Sequence, residues 1–278
     1  MHLKVSALRF SVVAAFCVLS VPAMAIDCSK AETPGEKLIC SSKSLQKADS
    51  KLNKTYAATL KAAPDEEIRT MLVVSQKRWI AARDNALEGI EERDGASEGE
   101  SAAQIAEKMI AERTAQLEKK GSMGLIEVAR KQRAFLKQFS GGDYAGYRTS
   151  CDMLPPEKTY SCFATRHYQD GDRVCSVDEY WATNIGYTKR FIADIVHGEP
   201  KLVASCSFNG DDNTCPTTSG EKQSWNVRPE AQPTLYSSKP EMKLDGEIID
   251  SDDYEWLKTC LTQRSFPLSD PTSSGVAE

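Results

Sequence analysis

Apolar residues in the first half of the chain recur at the three- and four-residue spacing of amphipathic helices. The pattern predicts five helices, which begin near Pro34, Ser44, Asp65, Ser101 and Leu125. Ser44 is predicted to be the N-cap of the second of them. The stretch from Gly89 to Gly99 is rich in glycine and glutamate and should turn the chain between the third and the fourth.

Two charged residues interrupt the apolar faces of the second and third predicted helices. Asp49 lies on the face that carries Tyr56, and Arg83 lies on the face that carries Trp79. A charge that faces a core is tolerated only when it is paired. We therefore predict an ion pair between Asp49 and Arg83, or a short charged network around it. Trp79 is most simply a core anchor, with Tyr56 beside it.

The second half of the chain is richer in aromatic residues, β-branched residues and turn signals. Segments 159–168 and 173–182 are expected to form one β-hairpin, and segments 190–196 and 201–208 a second one. The predicted fold class is therefore α+β. An antiparallel N-terminal domain of three longer helices, which begin near Ser44, Asp65 and Ser101, is followed by a disulfide-stapled, mainly β C-terminal domain.

The domain boundaries follow from these composition changes. The helical domain is predicted over residues 26–120, with a linker at 121–124, and the cysteine-rich domain over residues 125–265. Residues 266–278 are rich in Ser, Pro and Asp and are predicted to be a disordered tail.

Residues 1–25 have the pattern of a secretory signal peptide. Basic residues precede an apolar run, and the small residues Ala23 and Ala25 form a cleavage site. The run is too short for a membrane span, and no transmembrane segment is expected elsewhere. The chain is therefore predicted to be periplasmic or secreted. Lipid attachment is the weaker alternative, because neither Cys17 nor Cys28 follows the small residues that it requires.

Cleavage after Ala25 would remove one of the nine cysteines and leave eight. An even number in an exported chain predicts four disulfides, although eight cysteines allow 105 pairings. The sequence contains no C-x-x-C, and only His167 and His197 remain among the histidines, so no metal site is expected. The predicted disulfide cysteines are Cys28, Cys40, Cys151, Cys162, Cys175, Cys206, Cys215 and Cys260.

The charge balance also bears on function. Removal of residues 1–25 takes away two basic residues and no acidic one, which changes the formal net charge from −5 to −7. An acidic chain argues against nucleic acid as a partner. The loop Asn209–Asn213 has the composition of a calcium loop, but Thr214 stands where its turn needs glycine, so neither a metal nor a cofactor is expected.

No catalytic residue is assigned. Neither histidine has a G-x-S-x-G or comparable companion. A pair of carboxylates among the 40 acidic residues stays open as a hidden enzymatic site.

The N-terminal half carries an ordered set of residues with a recognisable spacing. Cys28 and Cys40 come first, then Asp49 and Tyr56 on one helix face, and then the pattern Q-x-x-W-x-x-x-R-D, formed by Gln76, Trp79, Arg83 and Asp84. Over about residues 26–118, this resembles the N-terminal domain shared by LprI-type lysozyme inhibitors of bacteria. The resemblance implies a small, exported helical domain, some of whose members are associated with inhibition of lysozyme.

The sequence departs from that family at two positions. Ala86 and Ile105 stand about where the family usually has cysteines. Their joint loss suggests that those cysteines pair with each other in relatives. The resemblance then implies that Cys28 and Cys40 form their own disulfide.

The function that these features favour is that of an exported, non-enzymatic binding protein. Its expected partner is a protein, such as a basic lysozyme or another peptidoglycan hydrolase. The Gly89–Gly99 turn and the acidic segment Asp245–Glu255 are candidates for the contact. The alternatives are a periplasmic immunity or envelope-interaction protein and an enzyme hidden in the C-terminal domain.

Overall fold

The computed structural model describes residues 26–92, 100–139, 142–155, 158–208, 215, 225–227, 243–248 and 254–267. Several predicted features lie outside these residues. They are the signal peptide 1–25, the loop Asn209–Asn213, most of the Gly89–Gly99 turn, the middle of the acidic segment Asp245–Glu255, and the tail from residue 268 onward.

Five helices form the first half of the described chain, and a sixth closes the last part. They are α1 (Pro34–Ser41), α2 (Lys43–Ala62), α3 (Glu66–Glu92), α4 (Ala102–Glu118), α5 (Leu125–Phe139) and α6 (Tyr254–Thr262). Capping boxes start two of them, because Thr33 and Glu36 bond reciprocally before α1, as Ser101 and Gln104 do before α4.

The predicted start of α2 was wrong by two residues. Ser42 is the N-cap residue and makes no side-chain cap bond. The hydroxyl of Ser44 instead donates to Glu107 Oε1 on α4, at 2.9 Å.

Within the described residues, five strands form an antiparallel sheet in which neighbours in sequence are neighbours in space. They are β1 (Gly146–Leu154), β2 (Thr159–Asp170), β3 (Arg173–Ala182), β4 (Ile185–Val196) and β5 (Glu199–Phe208). The two predicted hairpins are confirmed as β2–β3 and β4–β5. Strand β1 and the β3–β4 turn were not anticipated. The predicted fold class, a helical region followed by a disulfide-linked β region, is confirmed.

One continuous apolar core joins the helices to the sheet. It runs from Ile39 and Leu45 in the first helices, through Met109 and Leu136, to Leu261 in α6. The linker predicted at residues 121–124 begins with a 3-10 turn, Gly121–Met123. The same apolar core contains residues from both sides of this segment, such as Leu117 and Leu125.

Four disulfides connect cysteines in the described part of the chain. Two of them close short loops in the second half of the chain, Cys151–Cys162 with a sequence separation of 11 and Cys206–Cys215 with a separation of 9. Cys28–Cys40 connects the N-terminal segment to α1, as the resemblance implied. Cys175–Cys260 connects β3 to α6 across 85 residues of sequence. Among the residues that the structure describes, no helix is both long enough and apolar enough to span a membrane.

Candidate functional site

The residues of the Q-x-x-W-x-x-x-R-D pattern lie inside the helical region, on α3. Trp79 is 1% exposed, and the Arg83 guanidinium lies 5.2 Å from the centre of its ring. Arg83 Nε and Nη2 lie 2.8 and 2.7 Å from Asp84 Oδ1. Tyr56 of α2 is also buried, in the same apolar core as Trp79. These residues have the surroundings of a structural core.

Of the two predicted arrangements, a direct Asp49–Arg83 ion pair or a short charged network, the direct pair is not formed among the described residues. Within the described part of the chain, Asp49 Oδ2 accepts hydrogen bonds from the Ile26 amide and the Asn53 side chain, each at 3.1 Å. Arg83 is close enough for its charge to act on Asp49, but its hydrogen bonds go to Asp84. Burial raises the pKa of Asp49, and the Ile26 bond and the Arg83 charge oppose that rise.

A second charged cluster lies deeper, between the helices and the sheet, and Arg113 of α4 is its centre. Its Nε donates to Gln76 Oε1 at 3.0 Å, and its Nη2 donates to Ser75 Oγ at 2.7 Å. Its Nη1 reaches Gln116 Oε1 at 2.7 Å and Glu247 Oε1 at 2.5 Å. The planar guanidinium can serve these partners together because its donors point in fixed, divergent directions.

Glu247 is the acidic counterpart of Arg113, and its side chain is completely buried. Oε1 also accepts from Ser75 Oγ at 2.7 Å, while Oε2 accepts from Arg78 Nη2 at 3.2 Å and from Tyr160 Oη at 3.1 Å. Burial and the Glu247 charge raise the pKa of the Tyr160 hydroxyl, so that side chain remains a donor. Each oxygen of the buried carboxylate is thereby satisfied.

Arg78 extends the cluster to a second buried acid. Its Nη1 lies 2.6 Å from Asp245 Oδ2. Burial lowers the pKa of Arg78. The hydrogen bond to Asp245 and the negative charges of Asp245 and Glu247 outweigh that effect, so the pKa of Arg78 is raised. We call Ser75, Gln76, Arg78, Arg113, Tyr160, Asp245 and Glu247 the buried charged cluster.

The segment 243–248 brings the two acids into the interior. Gln132 of α5 holds it, with Nε2 donating to the carbonyls of Asp245 and Ile248, at 2.5 and 2.7 Å, and Oε1 accepting from the Asp245 amide at 3.0 Å. Gly246 passes so close to α5 that a Cβ there would lie 2.3 Å from the Leu125 carbonyl oxygen. The segment is therefore wedged against α5.

This position corrects the interpretation of the acidic segment Asp245–Glu255. Asp245 and Glu247 were expected on a solvated face that could attract a basic partner, whereas both carboxylates are buried and paired. Glu255 is exposed at the start of α6. The first two acids of the segment are thus unavailable for contact with a partner.

Glu247 Oε2 also lies close to two sulfur atoms, at 3.5 Å from Cys151 Sγ and 3.3 Å from Cys162 Sγ. Two cysteines and a carboxylate would suit a metal ion if the sulfurs were thiolates. Here they are joined in a disulfide, so neither offers the charged ligand that a metal requires. This trio is therefore not a metal site in the disulfide-bonded protein.

The two histidines do not converge. His167 of β2 is buried and its Nδ1 lies 2.7 Å from Ser176 Oγ on β3. Burial, helped by the Arg148 charge, lowers its pKa to about 4. His197 lies in the exposed β4–β5 turn. The cleft between α3 and Lys243–Leu244, with a volume of about 420 Å³, is lined by neither.

The β3–β4 hairpin continues past the points at which its pairings with β2 and β5 end, and Phe163 of β2 still lies beside Trp181 there. The β2–β3 pairing ends at Thr165 and Asp178, and the β4–β5 pairing ends at Thr188 and Phe208. The β3–β4 pairing continues to Ala182 and Ile185. We call residues 179–187 the projecting hairpin.

Aromatic stacking and a tight turn stiffen the projecting hairpin. The rings of Tyr180 and Tyr187 stack at 5.1 Å, and Thr183 Oγ1 lies 2.8 Å from Tyr187 Oη. Thr183 and Asn184 have the left-handed backbone of a two-residue hairpin turn, with φ of 49° and 62°. Ile185 is 48% exposed beside that turn. An apolar side chain is thus exposed beside a stiff turn at the end of this hairpin.

Comparison with known proteins bears on the N-terminal part. A family model described as "Lysozyme inhibitor LprI" matches residues 28–117, about a third of the chain. The match spans the Cys28–Cys40 disulfide, the pattern on α3 and Arg113. The C-terminal half has no family match. No curated protein and no solved structure matches the chain.

Proposed function

We propose that this chain is an exported binding protein that inhibits a lysozyme or another peptidoglycan hydrolase without catalysing a reaction itself. The observation that carries the proposal is the match of residues 28–117 to the family of lysozyme inhibitors. The pattern residues of that region are largely buried, so they build the scaffold. Contact with the partner then falls to the surface of the molecule.

Export is part of this proposal. The signal-like pattern of residues 1–25 and four disulfides suit an oxidising compartment such as the periplasm or the exterior of the cell. The disulfides and the shared core also hold the surface in one shape. A rigid surface loses little conformational entropy when it binds, which favours affinity.

The charge of the proposed mature chain fits a basic target. Its formal net charge is −7 once residues 1–25 are removed, whereas the common animal lysozymes are basic. Opposite net charges accelerate the encounter of two proteins. Steering of this kind would bring the partner to the surface, where specific contacts must then retain it.

We assign those contacts to the projecting hairpin. It continues beyond its pairings with β2 and β5, carries no charged side chain from Tyr180 to Tyr187, and presents Ile185 beside a stiff turn. A narrow, stiff turn with no charged side chain between Tyr180 and Tyr187 has the shape needed to enter a cleft in an enzyme. Aromatic residues such as Tyr180 and Tyr187 contribute strongly to protein interfaces.

The test is a cell-wall clearing assay with purified residues 26–278. A basic animal lysozyme and a bacterial muramidase are each incubated with bacterial cells, and the loss of turbidity is followed over time. We expect the protein to slow clearing by at least one of the two enzymes in a dose-dependent way. The protein without enzyme should leave the turbidity unchanged.

A matched control is the same protein after its disulfides are reduced and alkylated, which removes the rigid scaffold but keeps the sequence. It should lose inhibition. No slowing of either enzyme by the native protein at high molar excess would overturn the proposal and favour an immunity or envelope-interaction protein. Clearing by the native protein alone would show that it is an enzyme.

A further inference from the structure

The buried carboxylate of Asp49 shares the positive charge of Arg83 with two other carboxylates. The charge of Arg83 acts on three carboxylates, those of Glu36, Asp49 and Asp84, and its hydrogen bonds go to Asp84. Among the described residues, no basic side chain forms an ion pair with Asp49. Its Oδ2 contacts two neutral donors, the Ile26 amide and the Asn53 side chain. A buried carboxylate in such surroundings favours a second cation.

The backbone nitrogen of Ile26 is the atom best placed to become that cation. It lies 3.1 Å from Asp49 Oδ2, and it directly follows Ala25, the last residue of the predicted signal peptide. We infer that cleavage before Ile26 creates an N-terminal ammonium group that pairs with Asp49. The inference rests on the proposed export, because cleavage of this bond by a signal peptidase is part of export.

The chemistry of this step is a simple hydrolysis. Water adds across the Ala25–Ile26 peptide bond, so that Ala25 gains a carboxylate and Ile26 gains an amine. An N-terminal amine has an ordinary pKa near 8, so at neutral pH it takes up a proton. Maturation thereby replaces a neutral amide donor beside Asp49 with a charged one. Charge-assisted hydrogen bonds are roughly twice as strong as neutral ones.

The structure already holds Ile26 in position. Its side chain packs against the apolar core, and the following residues form a 3-10 turn over Cys28–Lys30. The Cys28–Cys40 disulfide then fastens that turn to α1. The new amine would therefore be kept beside Asp49 instead of moving freely, as chain ends commonly do.

A set of four proteins tests the pairing. One is residues 26–278 with a free Ile26 amine, verified by mass spectrometry, and the second carries Gly-Ser before Ile26. The other two repeat this pair with Asp49→Asn. Urea unfolding at pH 7 gives the folding equilibrium constant of each. We expect the extension to lower that constant at least about tenfold with Asp49 present and by less than about threefold in the Asp49→Asn background.

Equal effects of the extension in both backgrounds, or no effect in either, would overturn the inference. If the Asp49→Asn proteins do not fold, acylation of the Ile26 amine in the native protein decides instead. The amine should react at least about tenfold more slowly in the folded than in the urea-unfolded chain. Equal reactivity would reject the pairing. Neither result depends on lysozyme inhibition, so the two proposals can fail separately.

Discussion

Arg113 Nη1 and Glu247 Oε1 lie 2.5 Å apart, although the two residues are separated by 134 positions in the chain. Arg113 belongs to the region that matches the lysozyme-inhibitor family, and Glu247 belongs to the half without a family match. Both side chains are completely buried. The contact therefore makes the interior of the helical region dependent on a segment near the end of the chain.

Replacing Glu247 with Gln should destabilise the whole protein by about 3–5 kcal/mol, because it leaves the guanidinium of Arg113 buried without its closest acidic partner. Urea unfolding followed by circular dichroism measures the change. Glu255→Gln, at an exposed position of α6, is the control and should change stability by less than about 0.5 kcal/mol. A loss below about 1 kcal/mol for Glu247→Gln would contradict this account of the cluster.

Gly246→Ala should destabilise the fold by about 1–3 kcal/mol, because the added methyl group would lie 2.3 Å from the Leu125 carbonyl oxygen. Backbone must move to relieve that contact. Thermal unfolding gives the measurement, and Gly186→Ala is the matched control, because the nearest atom to its added Cβ would be 3.9 Å away. Equal melting temperatures for the two variants would show that segment 243–248 is not wedged against α5.

The disulfides should differ in their contributions to stability. Cys175–Cys260 closes 85 residues of sequence and Cys28–Cys40 closes 12. Chain-entropy arguments give about 4–5 kcal/mol for the long loop and about 3 kcal/mol for the short one. Replacing each pair by alanines and measuring urea unfolding should show the larger loss for Cys175→Ala with Cys260→Ala. Equal losses would show that restriction of the unfolded chain does not set their contributions.

The parts of the fold that could be predicted were those that depend on local residue patterns. The helices and two hairpins were found because each depends on spacing within about 10 to 20 residues. Strand β1 was missed because polar residues such as Arg148, Thr149 and Asp152 dilute its alternation. The two-residue turn at Thr183 and Asn184 lacks the glycine that commonly marks such turns, so its left-handed backbone was not predicted from the sequence.

The charged contacts of Arg113 were harder to predict because its acidic partner is distant in the sequence. Asp49 and Arg83 were recognised as charges on apolar faces, yet Arg83 bonds to its neighbour Asp84. Arg113 is likewise a charged residue on the apolar face of α4, but nothing in the sequence identified Glu247 as its partner. An acidic run such as 245–255 ordinarily indicates a solvated face. Burial of its first two acids depends on the packing of segment 243–248.

His167 should make the stability fall in mild acid. Burial lowers its pKa in the folded protein to about 4, against 6.5 for an ordinary histidine, so the unfolded chain binds more protons between these values. This contribution is fully present above about pH 6.5 and is lost as the pH falls toward 4. From pH 7 to 4.5, it corresponds to about 2–3 kcal/mol of the free energy of unfolding.

Urea unfolding across that pH range, in the original protein and in His167→Asn, measures this contribution. The variant should lose about 2–3 kcal/mol less than the original protein between pH 7 and 4.5, whatever its stability at pH 7. His197→Asn, in the exposed β4–β5 turn, is the matched control and should keep the original pH profile. Parallel profiles for all three proteins would contradict a buried, neutral His167.

The association and dissociation rates with a basic lysozyme should distinguish the effect of net charge from the effect of local contacts. If the net charge of −7 steers the encounter, raising NaCl from about 50 to about 500 mM should slow association and leave dissociation nearly unchanged. If the projecting hairpin retains the partner, Ile185→Asp should instead speed dissociation, because it introduces a charge into an apolar contact. Surface plasmon resonance resolves both rates.

Val196→Asp is the matched control for the hairpin variant. Val196 is 44% exposed at the opposite end of β4, so its substitution adds the same charge outside the projecting hairpin. We expect Ile185→Asp to increase the dissociation rate at least about tenfold and Val196→Asp to leave it unchanged. Association that is insensitive to salt would reject steering, and equal dissociation rates for the two variants would place the contact elsewhere on the molecule.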